Sequence, residues 1–113
     1  AIVGYGGRVK KTVIPALMSL KKHIRIKTIA TRKPINSKDL KTLGNIKNTD
    51  INDLNKEKYE YLYLGVPSYS VFSILNKLSK DNSFKNIRLI LDTPFPISQI
   101  FYIYYLWILI NYY

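Results

Sequence analysis

The chain has 113 residues, enough for one compact domain with its own core. It holds no cysteine and a single histidine, His23, which excludes disulfides, thiolate metal sites and histidine-cluster metal sites. Eighteen Lys and Arg stand against seven Asp and Glu, a formal charge of +11 that draws anions: nucleic acid, an anionic membrane or a phosphorylated small molecule. Much of that charge is discounted, because Ile, Lys, Asn and Tyr are abundant together, as AT-rich codons produce, and lysines of that origin sit on solvated faces. A nucleic-acid-binding module therefore rests on charge alone and no specific nucleic acid is expected.

The first stretch, AIVGYGGRVKKTVIPAL, joins an apolar run at Ala1–Val3 to a glycine cluster and a basic helical segment. Chain and strand begin together, with no leader, as expected of a fragment cut close to its first element. Val9, Val13, Ala16, Leu17 and Leu20 recur at helical spacing, with Pro15 expected to kink or shorten the helix. Ile24–Ala30 alternates apolar and polar, as a strand does. Residues 37–44, SKDLKTLG, predict a short helix with Ser37 as N-cap and Gly44 as its stop. A weak strand is expected near Ile46, then a short turn capped by Thr49 or Asp50. Tyr59–Leu64 predicts a strong strand, Val71, Ile74, Leu75 and Leu78 a helix after Pro67, and Lys85–Leu91 a further strand. Strands alternating with helices predict an α/β fold: a doubly wound parallel sheet with helices on both faces.

Residues 100–113, IFYIYYLWILINYY, carry no charge. The run is short of the roughly 20 apolar residues of a membrane span. Three readings stand: a buried helix whose covering domain is missing, a membrane-associated end, or a truncated or misread coding end.

The glycine cluster carries the chemistry. Gly4-Tyr5-Gly6-Gly7-Arg8-Val9 opens as G-x-G-x-x, with Val9 where a third small residue is usual. In a strand–helix–strand context Gly4 permits a tight turn, Gly6 lets the backbone approach a pyrophosphate, and the helix N-terminus offers free N–H groups. The competing reading is a glycine-rich connection with no ligand. The second predicted strand ends in IATRKP; where NAD binders place an acid for the ribose hydroxyls, this chain has Thr31, Arg32 and Lys33. Two cations and a hydroxyl suit a 2′-phosphate, so NADP is expected in preference to NAD, against the alternative that both are solvated surface charges.

Together, AIVGYGGRVKKTVIPAL, IATRKP, KNTDINDL and YLYLGVPSYSVFSIL, in this order and spacing, resemble the N-terminal domain of the Gfo/Idh/MocA oxidoreductases over most of residues 1–98. The resemblance implies a Rossmann-type dinucleotide-binding domain at 1–98, and an apolar helical tail at 99–113 that starts a connection to an absent C-terminal substrate domain. It implies a cytoplasmic, NADP-preferring dehydrogenase or reductase that moves hydride between nicotinamide and a hydroxyl or carbonyl carbon of a sugar-like substrate. Gly4, Gly6, Gly7, Arg8 and Val9 would surround the pyrophosphate, Thr31, Arg32 and Lys33 the adenosine ribose, and Gly65, Val66 and Pro67 the nicotinamide side. Homo-oligomer contacts would come through the missing domain. One departure stands out. Asp92-Thr93-Pro94 matches the family's Glu-Lys-Pro, so Thr93 replaces the lysine that assists proton transfer. The catalytic residue is left open, and the alternative is a non-catalytic nucleotide-binding or regulatory domain. No metal and no membrane partner are expected. His23 reads as a surface residue, Asp50 and Asp53 as helix caps or macrodipole balance, not a catalytic acid–base pair, and Tyr59, Tyr61 and Tyr63 as packing residues sharing one strand face.

Overall fold

A computed structural model describes residues 1–56, 59–80 and 87–92. The chain is α/β: the described residues form five strands, all parallel, and three α-helices. The strands are β1 (Ile2–Val3), β2 (Thr28–Thr31), β3 (Lys47–Asp50), β4 (Tyr61–Leu64) and β5 (Arg88–Leu91). The helices are α1 (Ile14–Ser19), α2 (Ser37–Leu43) and α3 (Ser68–Ser79), with a 3-10 turn at Ile51–Lys56. The sheet order is β3-β2-β1-β4-β5. The chain thus builds outward from β1 on one side through β2 and β3, then returns to pair β4 on the other side of β1, Ile2 opposite Tyr63 and Val3 opposite Leu64.

Both faces of the sheet's centre, at β1, β2 and β4, are largely apolar, as buried parallel strands require. Neighbouring residues alternate faces, so Val3, Ala30, Leu62 and Leu64 pack with Val71, Ile74, Leu75 and Leu78 of α3, while Ile2 and Ile29 pack with Val9, Ile14 and Leu43. β2 is buried along its whole length. The predicted alternation from Ile24 therefore overstates the strand: pairing begins at Thr28, and Ile24–Lys27 lies ahead of it.

Pro15, expected to kink or shorten the first helix, stands next to the junction of two short helical segments. Val9–Val13 winds with the wider π spacing, the Ile14 N–H donating to the Val9 carbonyl, and α1 follows with Pro15 in its first turn, where a missing N–H costs nothing. The wider turn shifts the helical register. Ile14 swings into the core, while Ala16 and Leu20, expected inside, face solvent. α2 spans the predicted residues, but its N-cap is Asn36: Asn36 Oδ1 accepts from the Asp39 N–H at 2.8 Å. Asp50 caps the 3-10 turn as expected, accepting from the Asn52 N–H at 2.7 Å. The three tyrosines do not share a face. Tyr59 packs with the α3 cluster, Tyr63 with the Val9 cluster, and Tyr61 is exposed under Arg88. Thr93, Pro94 and residues 99–113 lie outside the described residues.

Candidate functional site

β1 and β4 are neighbours whose onward connections leave in opposite directions, so a crevice opens at their C-terminal ends, between the loops that follow them. Gly4 ends β1 and Gly65 ends β4. The Gly4 N–H donates to the Ala30 carbonyl at 2.8 Å and the Gly65 N–H to the Val3 carbonyl at 2.9 Å, which carries the parallel ladder into both turns. Gly4 has φ +103°, and a Cβ there would stand 2.5 Å from the Gly65 carbonyl oxygen. A Cβ on Gly65 would collide with the Val9 side chain and lie 3.2 Å from the Tyr63 ring. These two glycines are needed by the fold itself. Gly6 and Gly7 are different: both are exposed, neither has a positive φ, and a Cβ on either would meet nothing within 4 Å among the described residues.

The loop is strapped from both sides. Lys10 Nζ lies 2.9 Å from Asp39 Oδ2, and the Tyr5 ring stacks beneath the same ammonium, tying the loop to the start of α2. The Lys10 hydrogen bond holds the Asp39 carboxyl below its ordinary pKa, and Asp39 in turn raises that of Lys10. On the other side Arg8 Nε lies 2.9 Å from Asp92 Oδ2 at the end of β5, with Arg8 largely exposed and Asp92 largely covered. Burial, then the neighbouring Asp92 carboxylate, raises the pKa of the Tyr63 hydroxyl, and Arg8 opposes the rise. Of the loop residues singled out by sequence, Val9 alone sends its side chain into the core.

Over the β2–β3 half, Arg32, Asp50, Ile51, Asn52, Ser73, Ile74 and Lys77 line a cleft of ≈ 320 Å³. That is the lower end of the range for small-molecule sites. Arg32 and Lys33 are exposed just past β2. Thr31 is buried, and its hydroxyl is already committed: it donates to the Lys33 carbonyl at 2.6 Å and accepts from Asn48 Nδ2 at 3.1 Å. Asn48 also donates to the Ile29 carbonyl and accepts from the Ile35 N–H at 2.9 Å. Thr31 and Asn48 thus shape the loop that presents Arg32 and Lys33. Val66 is buried beside Gly4, and Pro67 is exposed at the start of α3.

The structure therefore brings together the glycine loop, Arg8, Gly65 and Asp92 at the crevice, and sets Arg32 and Lys33 beside the second cleft. His23 lies exposed beyond the far end of α1. Sequence reasoning did not reach Ser73 and Lys77, whose only signal is their i, i+4 spacing on α3, nor Asn48, which reads as an ordinary polar strand residue. Among the described residues no group of three acidic or histidine side chains is placed to hold a metal. No helix among them is long and apolar enough to cross a membrane.

Compared with known proteins, the chain matches no family model, no curated protein and no solved structure.

Proposed function

We propose that this chain is the dinucleotide-binding domain of an NADP-preferring oxidoreductase, with a Rossmann-type doubly wound fold. The observation that carries the reading is the contrast among the glycines at the β1–β4 crevice. Gly4 and Gly65 are sterically demanded, whereas Gly6 and Gly7 meet nothing among the described residues that would require them to lack a side chain. A ligand backbone or phosphate approaching the loop supplies such a reason. The residues present fit the cofactor. Gly6, Gly7 and Arg8 would meet the pyrophosphate, with the helix N–H groups behind them. The cleft lined by Arg32, Asp50, Ser73 and Lys77 would take the adenosine. Arg32 and Lys33 would pair a 2′-phosphate, Arg through a planar bidentate contact. Gly65, Val66, Pro67 and Asp92-Thr93-Pro94 would border the nicotinamide. The bound nicotinamide supplies hydride chemistry; the chain supplies binding and orientation. The substrate class, a hydroxyl or carbonyl carbon of a sugar-like molecule, and a cytoplasmic setting follow from the family resemblance.

A second reading is favoured by Thr93. A threonine is a poor acid or base near neutral pH, which suits a nucleotide-binding or regulatory domain without turnover.

Titration with NADPH and NADH, by calorimetry or fluorescence, tests the proposal on the wild type and on the Arg32→Ala/Lys33→Ala variant. NADPH is expected to bind at least tenfold more tightly than NADH, and the double variant to erase the difference. A folded chain that binds neither overturns it.

A further inference from the structure

The Arg8–Asp92 pair joins the ends of two strands that are not neighbours in the sheet. Arg8 leaves the glycine loop at β1, and Asp92 ends β5, two strands away with β4 between them. The guanidinium therefore reaches over the end of β4, past Gly65, across the mouth of the crevice. Its exposure is high, 70% of the side chain, whereas Asp92 retains 11%. The carboxylate is the fixed end and the arginine the movable one.

We propose that Asp92 is a latch that holds Arg8 across the crevice until an incoming pyrophosphate takes the guanidinium from the carboxylate. The latch rests on the nucleotide-binding reading of the same crevice. Two anions, Asp92 and the pyrophosphate, compete for one cation within reach of both. Asp92 lowers affinity by occupying Arg8. Asp92 is a positioning residue, acting through Arg8.

The gain is expected to depend on Arg8, which a merely structural role of Asp92 does not require. Inorganic pyrophosphate and NADPH are titrated separately against the full chain by calorimetry, with folding verified by circular dichroism. Asp92→Asn is expected to tighten both ligands about three- to tenfold. In an Arg8→Gln background the gain from Asp92→Asn is expected to fall to about twofold or less, the residue of removing one nearby negative charge. An Asp92→Asn variant that binds no better than wild type, or that gains equally without Arg8, overturns the latch. If pyrophosphate follows this pattern but NADPH binds no better than pyrophosphate, the latch stands and the dinucleotide reading falls. If neither ligand binds wild type or Asp92→Asn, both fall.

Discussion

At the scale of single residues, the four glycines of the crevice separate into two kinds by a substitution of one methyl group. Gly4→Ala forces a Cβ against a backbone carbonyl at φ +103°, and is expected to cost at least about 2 kcal/mol in urea unfolding. Gly6→Ala meets nothing among the described residues; its unfolding midpoint is expected to stay within about 0.5 kcal/mol of wild type, while NADPH affinity falls at least tenfold. Equal destabilisation by both would place Gly6 with the fold. The Lys10–Asp39 pair gives a pH dependence of known sign. The Asp39 carboxyl is lowered by its hydrogen bond from Lys10, so its contribution is present above the ordinary carboxylate range and lost as pH falls through its lowered value. The Lys10 ammonium is raised by the same bond, so its contribution is present below the ordinary lysine range and lost as pH rises through its raised value. Asp39→Asn is therefore expected to lower the urea midpoint modestly at neutral pH and to converge with wild type in acid. A gap that persists unchanged at low pH would mean the pair contributes nothing.

At the scale of elements, two asparagines do work that spacing did not reveal. Asn36 accepts the Asp39 N–H at the start of α2, so Asn36→Ala is expected to cost about 1 kcal/mol. Ser37→Ala, the cap that residue preference suggested, is expected to be near neutral. Thermal melts of the two variants decide between them. Asn48 fills three hydrogen bonds between β2, β3 and the Arg32–Pro34 loop. Asn48→Ala strands the Ile35 N–H and is expected to destabilise by about 1–3 kcal/mol. Because the same bonds hold Thr31 and hence the carbonyl of Lys33, the NADPH-over-NADH preference is expected to narrow as well. Retained preference in that variant would show that the loop keeps its shape without Asn48. The helix leading into α1 teaches a related lesson. Its apolar residues were legible, but one π turn before Pro15 exchanged Ile14 for Ala16 in the core. A pattern with a fixed 3.6 period cannot register that exchange.

At the scale of the whole molecule, the parallel order β3-β2-β1-β4-β5 makes the crevice, and a ligand seated there touches the loops of several strands at once. Saturating NADPH is accordingly expected to raise the melting temperature, since binding to the folded state alone contributes about 2.7 kcal/mol at a hundredfold excess over Kd. Unchanged melting at saturation would argue against the site. The excess of cations is expected to make that binding weaken as salt rises.

The sequence by itself determined the alternation of strands and helices, the glycine turn after the first strand, the basic loop after the second and the stop at Gly44, because turn chemistry and local periodicity act within a few residues of the chain. Only the tertiary structure decided which strands lie side by side, that Gly65 must be bare because Val9 and Tyr63 crowd it, and that Arg8 reaches Asp92 across β4. Contacts between residues tens of positions apart leave no local pattern, so they are written in the packing of the sheet and not in the spacing of the residues.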